Sequence, residues 1–595
     1  MYFVYFLTTL IVAFHLLDCF QSKLPILRIK LTLPFLPFLF SQIISTFISV
    51  DPHTSIFGYY SRLHGGLLST LAYFLLFAVL TVRLDDSLRR RLINLSLLSS
   101  LLVSLYGLAQ HFGIDAHLWV QDVRARVFST FGQPNWLAAY LCLLLPLALD
   151  RLLCSKNKLQ ITVYSLLITS YYLCLLFTKS KSGLAAAAIS LGLYFLLRFF
   201  QSKKISTLQI TVYGLLITLS LIINNPIKDK LFPPKLITEN SKIENLNITP
   251  SQDIRQIVWT GAIDLWKKYP LFGTGVETFA YSYYWTRPAA HNLTSEWDFL
   301  YNKAHNEYLN FLATSGAFGL ATYLVLILVV MLNLFQHPAL FCSYLSILIT
   351  NFSGFSVVVV ALYFFLLPLF AFPSFSPAPT RPRSAPFPFK LLIFGLVFFS
   401  LRFITFSFLA DVSYALSQES DRRSDFDSSY IQAKTAVDYR PDEPLYRLSL
   451  ATAAAHRGLT NEAVANADLA LSISPANINF WKEKAQVYYY LSVSDSKYYP
   501  FVIDSLQKAS RLAPTDARIF YLLGKFSEII DKNQAISYHQ QAIALKPNYD
   551  FAYFDLGVLL FNQKKYSDAK TNFENVLKYA PANTDAPEYL KKIKN

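Results

Sequence analysis

Over its first 410 residues the chain is a succession of apolar blocks, each about 17 to 25 residues long, separated by short basic or proline-containing links. Segments of that length in hydrocarbon must satisfy every backbone polar group internally, so they are expected to be membrane-spanning helices. The blocks fall near residues 1–20, 31–50, 66–82, 92–110, 134–150, 159–178, 183–200 and 205–224, and then, after a polar interruption, near 306–334, 339–372 and 389–410. The interruption runs from about Asn225 to Lys303. An all-α fold is expected, with a polytopic membrane bundle of about 11–12 transmembrane helices built from residues 1–410. The formal net charge of +15 could suggest nucleic acid as a partner. Most Lys and Arg, however, lie in the links, where they set membrane orientation, so no nucleic acid is expected.

The basic links alternate. Lys23, Arg28 and Lys30 mark one; Arg83, Arg89, Arg90 and Arg91 another; Arg151, Lys156 and Lys158 a third; Arg198, Lys203 and Lys204 a fourth. Every second link is basic, as the positive-inside rule requires of cytoplasmic ones, and the parity puts the 225–303 segment outside the cytoplasm. The apolar start lacks a basic leading region and a small-residue cleavage pattern, so the first span is expected to stay, with Met1 outside. The 339–372 stretch is long for one span and carries Asn351-Phe352-Ser353-Gly354-Phe355 at its centre, which reads as two short helices meeting at a turn. The Pro373–Pro388 link, with Arg381 and Arg383, is then cytoplasmic and the C-terminal region external; one tilted helix would reverse that. The five cysteines, Cys19, Cys142, Cys154, Cys174 and Cys342, lie in or beside spans without metal or disulfide spacing and read as small core residues.

From Asp411 onward the composition shifts, and Pro441, Pro475, Pro514, Pro547 and Pro581 recur every 33 to 39 residues. Tyr553, Leu556, Gly557, Ala569, Phe573 and Pro581 in the last unit occupy the large, small and terminating positions of a tetratricopeptide repeat. Small residues let paired helices approach and proline ends each second helix, so residues 411–595 are expected to stack into an α-solenoid. Such a groove binds an extended peptide or protein partner, or else serves as a spacer or dimer surface.

Four polar clusters stand on the expected outer side. Arg124 and Arg126 precede Phe131-Gly132-Gln133-Pro134-Asn135-Trp136-Leu137-Ala138 at a span start, which reads equally as a helix start with interfacial Arg and Trp. Thr178-Lys179-Ser180-Lys181-Ser182-Gly183 is an outer link carrying two lysines against the positive-inside tendency, which suits an anionic ligand. In the large loop, Arg255 opens a helical pattern through Ile257, Val258, Ala262, Leu265 and Trp266, and Pro270-Leu271-Phe272-Gly273-Thr274-Gly275 follows. The spacing of these glycines is not a nucleotide fingerprint. Trp259, Trp266, Trp285 and Trp297 all lie in this loop and suit sugar or headgroup contact, or membrane-interface anchoring. The fourth cluster is Lys303-Ala304-His305-Asn306-Glu307-Tyr308, a His and a Glu at a membrane rim, placed either for aqueous chemistry on a lipid-borne substrate or as solvated capping residues.

Taken in order, Gly132 to Ala138, the Thr178 to Gly183 link, Arg255 with Trp259, Pro270 to Gly275 and Ala304 to Leu309 resemble the O-antigen ligase and polymerase superfamily over roughly residues 20–410. The resemblance implies a metal-independent, inverting glycosyltransferase of the bacterial cytoplasmic membrane that needs no cofactor. Such an enzyme takes a glycan from a polyprenyl diphosphate carrier at the outer face and passes it to a sugar, lipid or protein hydroxyl. By position it makes His305 the catalytic residue and Arg255 a donor-diphosphate ligand. Lys181 falls where an arginine is usual and keeps the charge without the bidentate fork, with Lys179 sharing the role. Arg126, Asn135 and Glu307 are supporting residues. Neutral His305 would act as base, kept neutral by the neighbouring cations, which would also stabilise the departing diphosphate. Glu307 is two residues from His305 and would not face it on a helix. The alternatives are a repeat-unit polymerase, a protein O-oligosaccharyltransferase, or a transporter or membrane scaffold presenting the solenoid.

Overall fold

The computed structural model describes residues 1–22, 24–60, 63–232, 249–373 and 385–594. Lys23, Arg381, Arg383 and residues 233–248 of the large loop lie outside the described residues. The fold is helical; among the described residues the only β-type pairing is an isolated bridge between Tyr59 and His64. Among the described residues eight helices are long and apolar enough to cross a membrane, and four shorter apolar ones accompany them: Leu67–Arg83, Thr207–Ile222, Pro338–Phe352 and Val358–Leu369. The chain is a multi-pass membrane protein of about the expected helix number.

One helix is central and the others are arranged round it. Pro134–Cys154 buries 78% of its apolar window, against 17% for Tyr2–Phe20 and for Phe387–Arg422, which form the rim. Proline at its first position costs no hydrogen bond, because that N–H has no helical partner in any case. Its neighbours come close because they are small where they meet it: a Cβ added at Gly183 would lie 2.5 Å from that of Ala138. Cys142, Cys174 and Cys342 are buried and unpaired, the small core residues expected, whereas Cys154 is exposed at a helix end and Cys19 half-buried near His15.

The 339–372 stretch is two helices, Pro338–Phe352 and Val358–Leu369, separated at Ser353–Val357. Glu307–Leu334 is likewise broken, at Gly316, whose φ of 68° suits glycine alone. Into that break fits the Pro270 to Gly275 turn. Ala317 and Phe318 donate their N–H groups to Pro270 and Leu271, and Gly275 donates to Thr314, at 2.8 to 3.1 Å. A Cβ at Gly273 would come within 2.3 Å of the Thr314 carbonyl carbon, so these glycines serve backbone-to-backbone packing.

Phe387–Arg422 leaves the bundle and continues unbroken through residues 410 and 411 to pair with Phe426–Tyr439. Helix pairs follow at Pro444–His456 with Thr460–Ile473, Ile478–Ser494 with Tyr499–Leu512, Ala517–Ser527 with Lys532–Leu545, and Asp550–Asn562 with Tyr566–Tyr579. Each recurring proline stands just beyond the end of a second helix, as the repeat pattern requires. Gly557 leaves room for the Phe573 ring, which a Cβ would meet at 2.8 Å. The result is the tetratricopeptide-type α-solenoid that the sequence predicts.

The solenoid docks on the large loop. Asn292, fully buried, donates to the carbonyls of Thr515 at 2.7 Å and Leu545 at 3.1 Å, and its own carbonyl accepts from Lys546 at 2.8 Å. Arg287 bonds Asn292 and the Thr515 carbonyl from the loop side. Loop and repeats therefore share one face of the bundle.

Candidate functional site

The loop fold starts from helix Ser251–Lys268, which turns Ile254, Val258, Ala262 and Leu265 into a cluster with Phe279, Tyr283, Tyr301 and Ala304. Arg255, one position on from Ile254, is left at the edge of that face and half-buried. It lines a narrow cleft with His305, Gln133, Asn135, Trp136, Ser182 and the broken-helix residues Thr350 and Ser353. Five segments far apart in sequence thus converge: the start of the central helix, the 178–183 link, the loop helix, the His305 turn, and the gap between the two short helices.

His305 is held in an unusual conformation. Its φ of 51° is left-handed, which a side-chain-bearing residue adopts at a cost of roughly 1 kcal/mol or more. Three contacts fix it there. The Trp259 indole N–H donates to the Ala304 carbonyl at 3.0 Å; Asn306 caps helix Glu307–Leu334 by accepting from the Leu309 N–H at 3.0 Å; and Lys303, just upstream, is in a buried ion pair with Glu277. The imidazole is half-buried between Tyr301 and Phe355, with ring centroids at 5.6 and 5.5 Å in edge-on geometry. Burial pulls the Arg255 guanidinium below its ordinary range, opposed by the neighbouring Tyr301 and Glu296, which hydrogen-bond each other.

The other residues singled out by sequence are distributed unequally. Asn135 lines the cleft, and its carboxamide oxygen accepts from Ser180 Oγ at 2.8 Å and from Arg126 at 3.4 Å. Arg126 also donates to the Thr178 carbonyl at 3.0 Å, so it ties the link to the central helix from outside the cleft. Lys179 is the left-handed C-cap of helix Lys158–Thr178 and Lys181 the exposed first residue of helix Lys181–Ser202. Neither lines the cleft, although Ser182 does.

Glu307 does not join His305. It lines a separate polar hollow of about 80 Å³ with Glu277, Lys303, His64 and Asn310, and its Oε2 has no hydrogen-bond partner among the described residues.

The four loop tryptophans are half-buried and each also contacts the protein itself. Trp259 and Trp266 donate to the carbonyls of Ala304 and Pro270, Trp285 packs on Tyr269, and Trp297 packs on Tyr549 of the solenoid. The tryptophan in the cleft is Trp136. Sequence reasoning placed Gln133 and Ser182 in its clusters without giving them a role, and gave none to Thr350 and Ser353. The signal for the last two was the polar interruption of an apolar stretch, taken only as a turn.

Residues 164–324 match the O-antigen ligase family model, a span that includes Lys181, Arg255 and His305. No curated protein matches the chain. Similar solved structures include MamA from Desulfovibrio magneticus, 22% identical over 29% of this chain and 97% of that one, with a TM-score of 0.25. They also include PilF of Pseudomonas aeruginosa, 18% identical over 32% and 84% with a TM-score of 0.27, and a thermophilic TPR protein of Thermus thermophilus, 18% identical over 31% and 98% with a TM-score of 0.25. A multi-pass membrane protein with appended repeats is thus similar to the O-antigen ligase family over residues 164–324, which supports a role in glycan transfer at the membrane in general.

Proposed function

We propose that residues 1–410 transfer a glycan from a polyprenyl diphosphate carrier to a hydroxyl acceptor at the outer face of the bacterial cytoplasmic membrane, while residues 411–595 organise a partner beside that site. The observation that carries this reading is the meeting of His305 and Arg255 in one cleft at the start of helix Glu307–Leu334, within the region matching the ligase family. In the proposed step the acceptor hydroxyl gives its proton to His305 as its oxygen attacks the anomeric carbon from the side opposite the diphosphate. The bond from anomeric carbon to diphosphate oxygen breaks, the configuration inverts, and Arg255 stabilises the charge gathering on the leaving group. Lys181, with three donors free to turn at a helix N-terminus that itself favours anions, would attract the diphosphate at the border of the cleft, with Lys179 beside it.

The supporting roles follow from contacts already described. Asn135 and Arg126 hold the Lys179–Ser182 link against the central helix, and Glu307 acts through the packing beneath the His305 turn. A polymerase joining repeat units and a protein O-oligosaccharyltransferase use the same chemistry with other acceptors, and the docked solenoid favours a protein among the partners. The test is turnover of a polyprenyl-diphosphate-linked glycan by the purified protein in lipid nanodiscs with excess EDTA. Release of polyprenyl diphosphate with an inverted glycosidic product is the expected result; dependence on added divalent metal would contradict it.

A further inference from the structure

Where the solenoid meets the bundle, a cavity of about 560 Å³ lies between the chain segment following helix Leu36–Phe47 and the inner wall of the repeats. It shares no lining residue with the His305 cleft. The side formed by bundle and large loop presents Tyr59 and Tyr281, ring centroids 6.3 Å apart; the solenoid side presents Tyr489 and Phe526, 5.4 Å apart. Between these two aromatic walls run groups of every hydrogen-bonding kind: the amides of Asn477 and Gln486, the carboxyl of Glu483 and the ammonium of Lys482. Cationic and anionic side chains are both present, so the lining selects neither sign of charge.

Among the described residues one polar atom of the wall is left unsatisfied by the protein itself. His53 lines the cavity, and its Nε2 stands 3.7 Å from Glu443, beyond hydrogen-bond reach. Ser474, only 1% exposed, also lines the cavity and interacts with the buried Asp51 carboxyl. Burial pushes the carboxyls of Glu443 and Glu483 up to about 7 and draws Lys482 down. The volume falls within the roughly 300 to 1,000 Å³ of sites for small ligands.

We propose that this junction cavity is a carbohydrate subsite, distinct from the His305 cleft, that takes a short uncharged oligosaccharide. A pyranose ring has apolar C–H faces that lie against tyrosine and phenylalanine rings, and a perimeter of hydroxyls that donate to carboxylates and accept from amides and ammonium groups. That two-sided chemistry is what the walls present. An extended peptide in a repeat groove needs a course along the solenoid, whereas here His53, Tyr59 and Tyr281 of the bundle and large loop stand across one side. The inference goes beyond the transferase reading and rests on the cavity alone.

The test is saturation-transfer difference NMR on the full-length protein in nanodiscs, with maltotriose, triacetylchitotriose and a rhamnose trisaccharide as probes. At least one is expected to bind, and Tyr489→Ala and Glu483→Gln to weaken it by about tenfold or more. Tyr489 is 41% exposed, so its removal leaves the core intact, which a thermal unfolding scan verifies. His305→Ala is expected to leave binding unchanged, so loss of transfer and loss of this binding are separable. The proposal is overturned if no trisaccharide signal depends on Tyr489 and Glu483, or if a randomised decapeptide mixture displaces the sugar and binds in its place.

Discussion

Two hollows flank the Lys303–Glu307 turn, and they differ in what they do with charge. The His305 cleft is assembled from five segments and brings a histidine and an arginine, both basic, to one wall. The hollow below it holds one ion pair, Glu277 with Lys303, both nearly inaccessible at 5% and 9% of side-chain surface, beside the further carboxyl of Glu307. Residues two apart in sequence, His305 and Glu307, therefore serve opposite ends. A buried ion pair gives modest net stability but a large penalty when half of it is removed, so it pins the turn. The cleft above can then hold a strained histidine.

That contrast sets the order of expected effects. Lys303→Met leaves Glu277 buried without its cation and is expected to cost about 3 to 5 kcal/mol, read as a lowered unfolding temperature in detergent, whereas Glu277→Gln with Lys303→Met recovers most of it. Arg255→Ala is expected to slow glycan transfer about 10²- to 10³-fold with unfolding unchanged, and Arg255→Lys to recover part of the rate. A stability loss without a rate loss would move Arg255 from the cleft's chemistry to its packing. Lys181→Ala is expected to impair donor use by less than about tenfold, with Lys181→Arg tolerated, because its charge acts from the exposed border.

The smallest effect concerns the solenoid junction. Glu443 and Glu483 bind protons more tightly folded than unfolded, so their contribution is full below the unfolded value near 4.5 and declines as pH rises through about 7. Unfolding temperature should fall from pH 5 to pH 8, and Glu483→Gln should flatten that slope. An unaltered slope would place the titration elsewhere.

What the sequence revealed follows from how local each signal is. Apolar length marks spans, and the recurring prolines mark repeats, because both act within one helix or helix pair. The break at Ser353 was readable for the same reason. His305 and Arg255 could be ranked by resemblance; the divergence of Glu307 from His305 was expected of a shared helix, whereas His305 lies in a left-handed turn ahead of the helix that Glu307 begins. Tertiary partners were not readable. Trp259 reaches Ala304 across 45 residues and Glu277 reaches Lys303 across 26, so the tryptophan suggested a ligand contact and the glutamate had no assigned role. The glycines of Pro270 to Gly275 excluded a nucleotide motif, but their use against the Gly316 break required the fold.

The division between cleft and hollow is tested most directly by measuring single-turnover glycan transfer from the lipid-linked donor with His305→Ala and Glu307→Gln side by side. If His305 is the base, His305→Ala should lose about 10²- to 10⁴-fold in rate while remaining folded, and Glu307→Gln should stay within about tenfold of the parent. The opposite ranking, with His305→Ala near full activity and Glu307→Gln inactive but folded, would put the chemistry in the buried hollow and contradict the assignment.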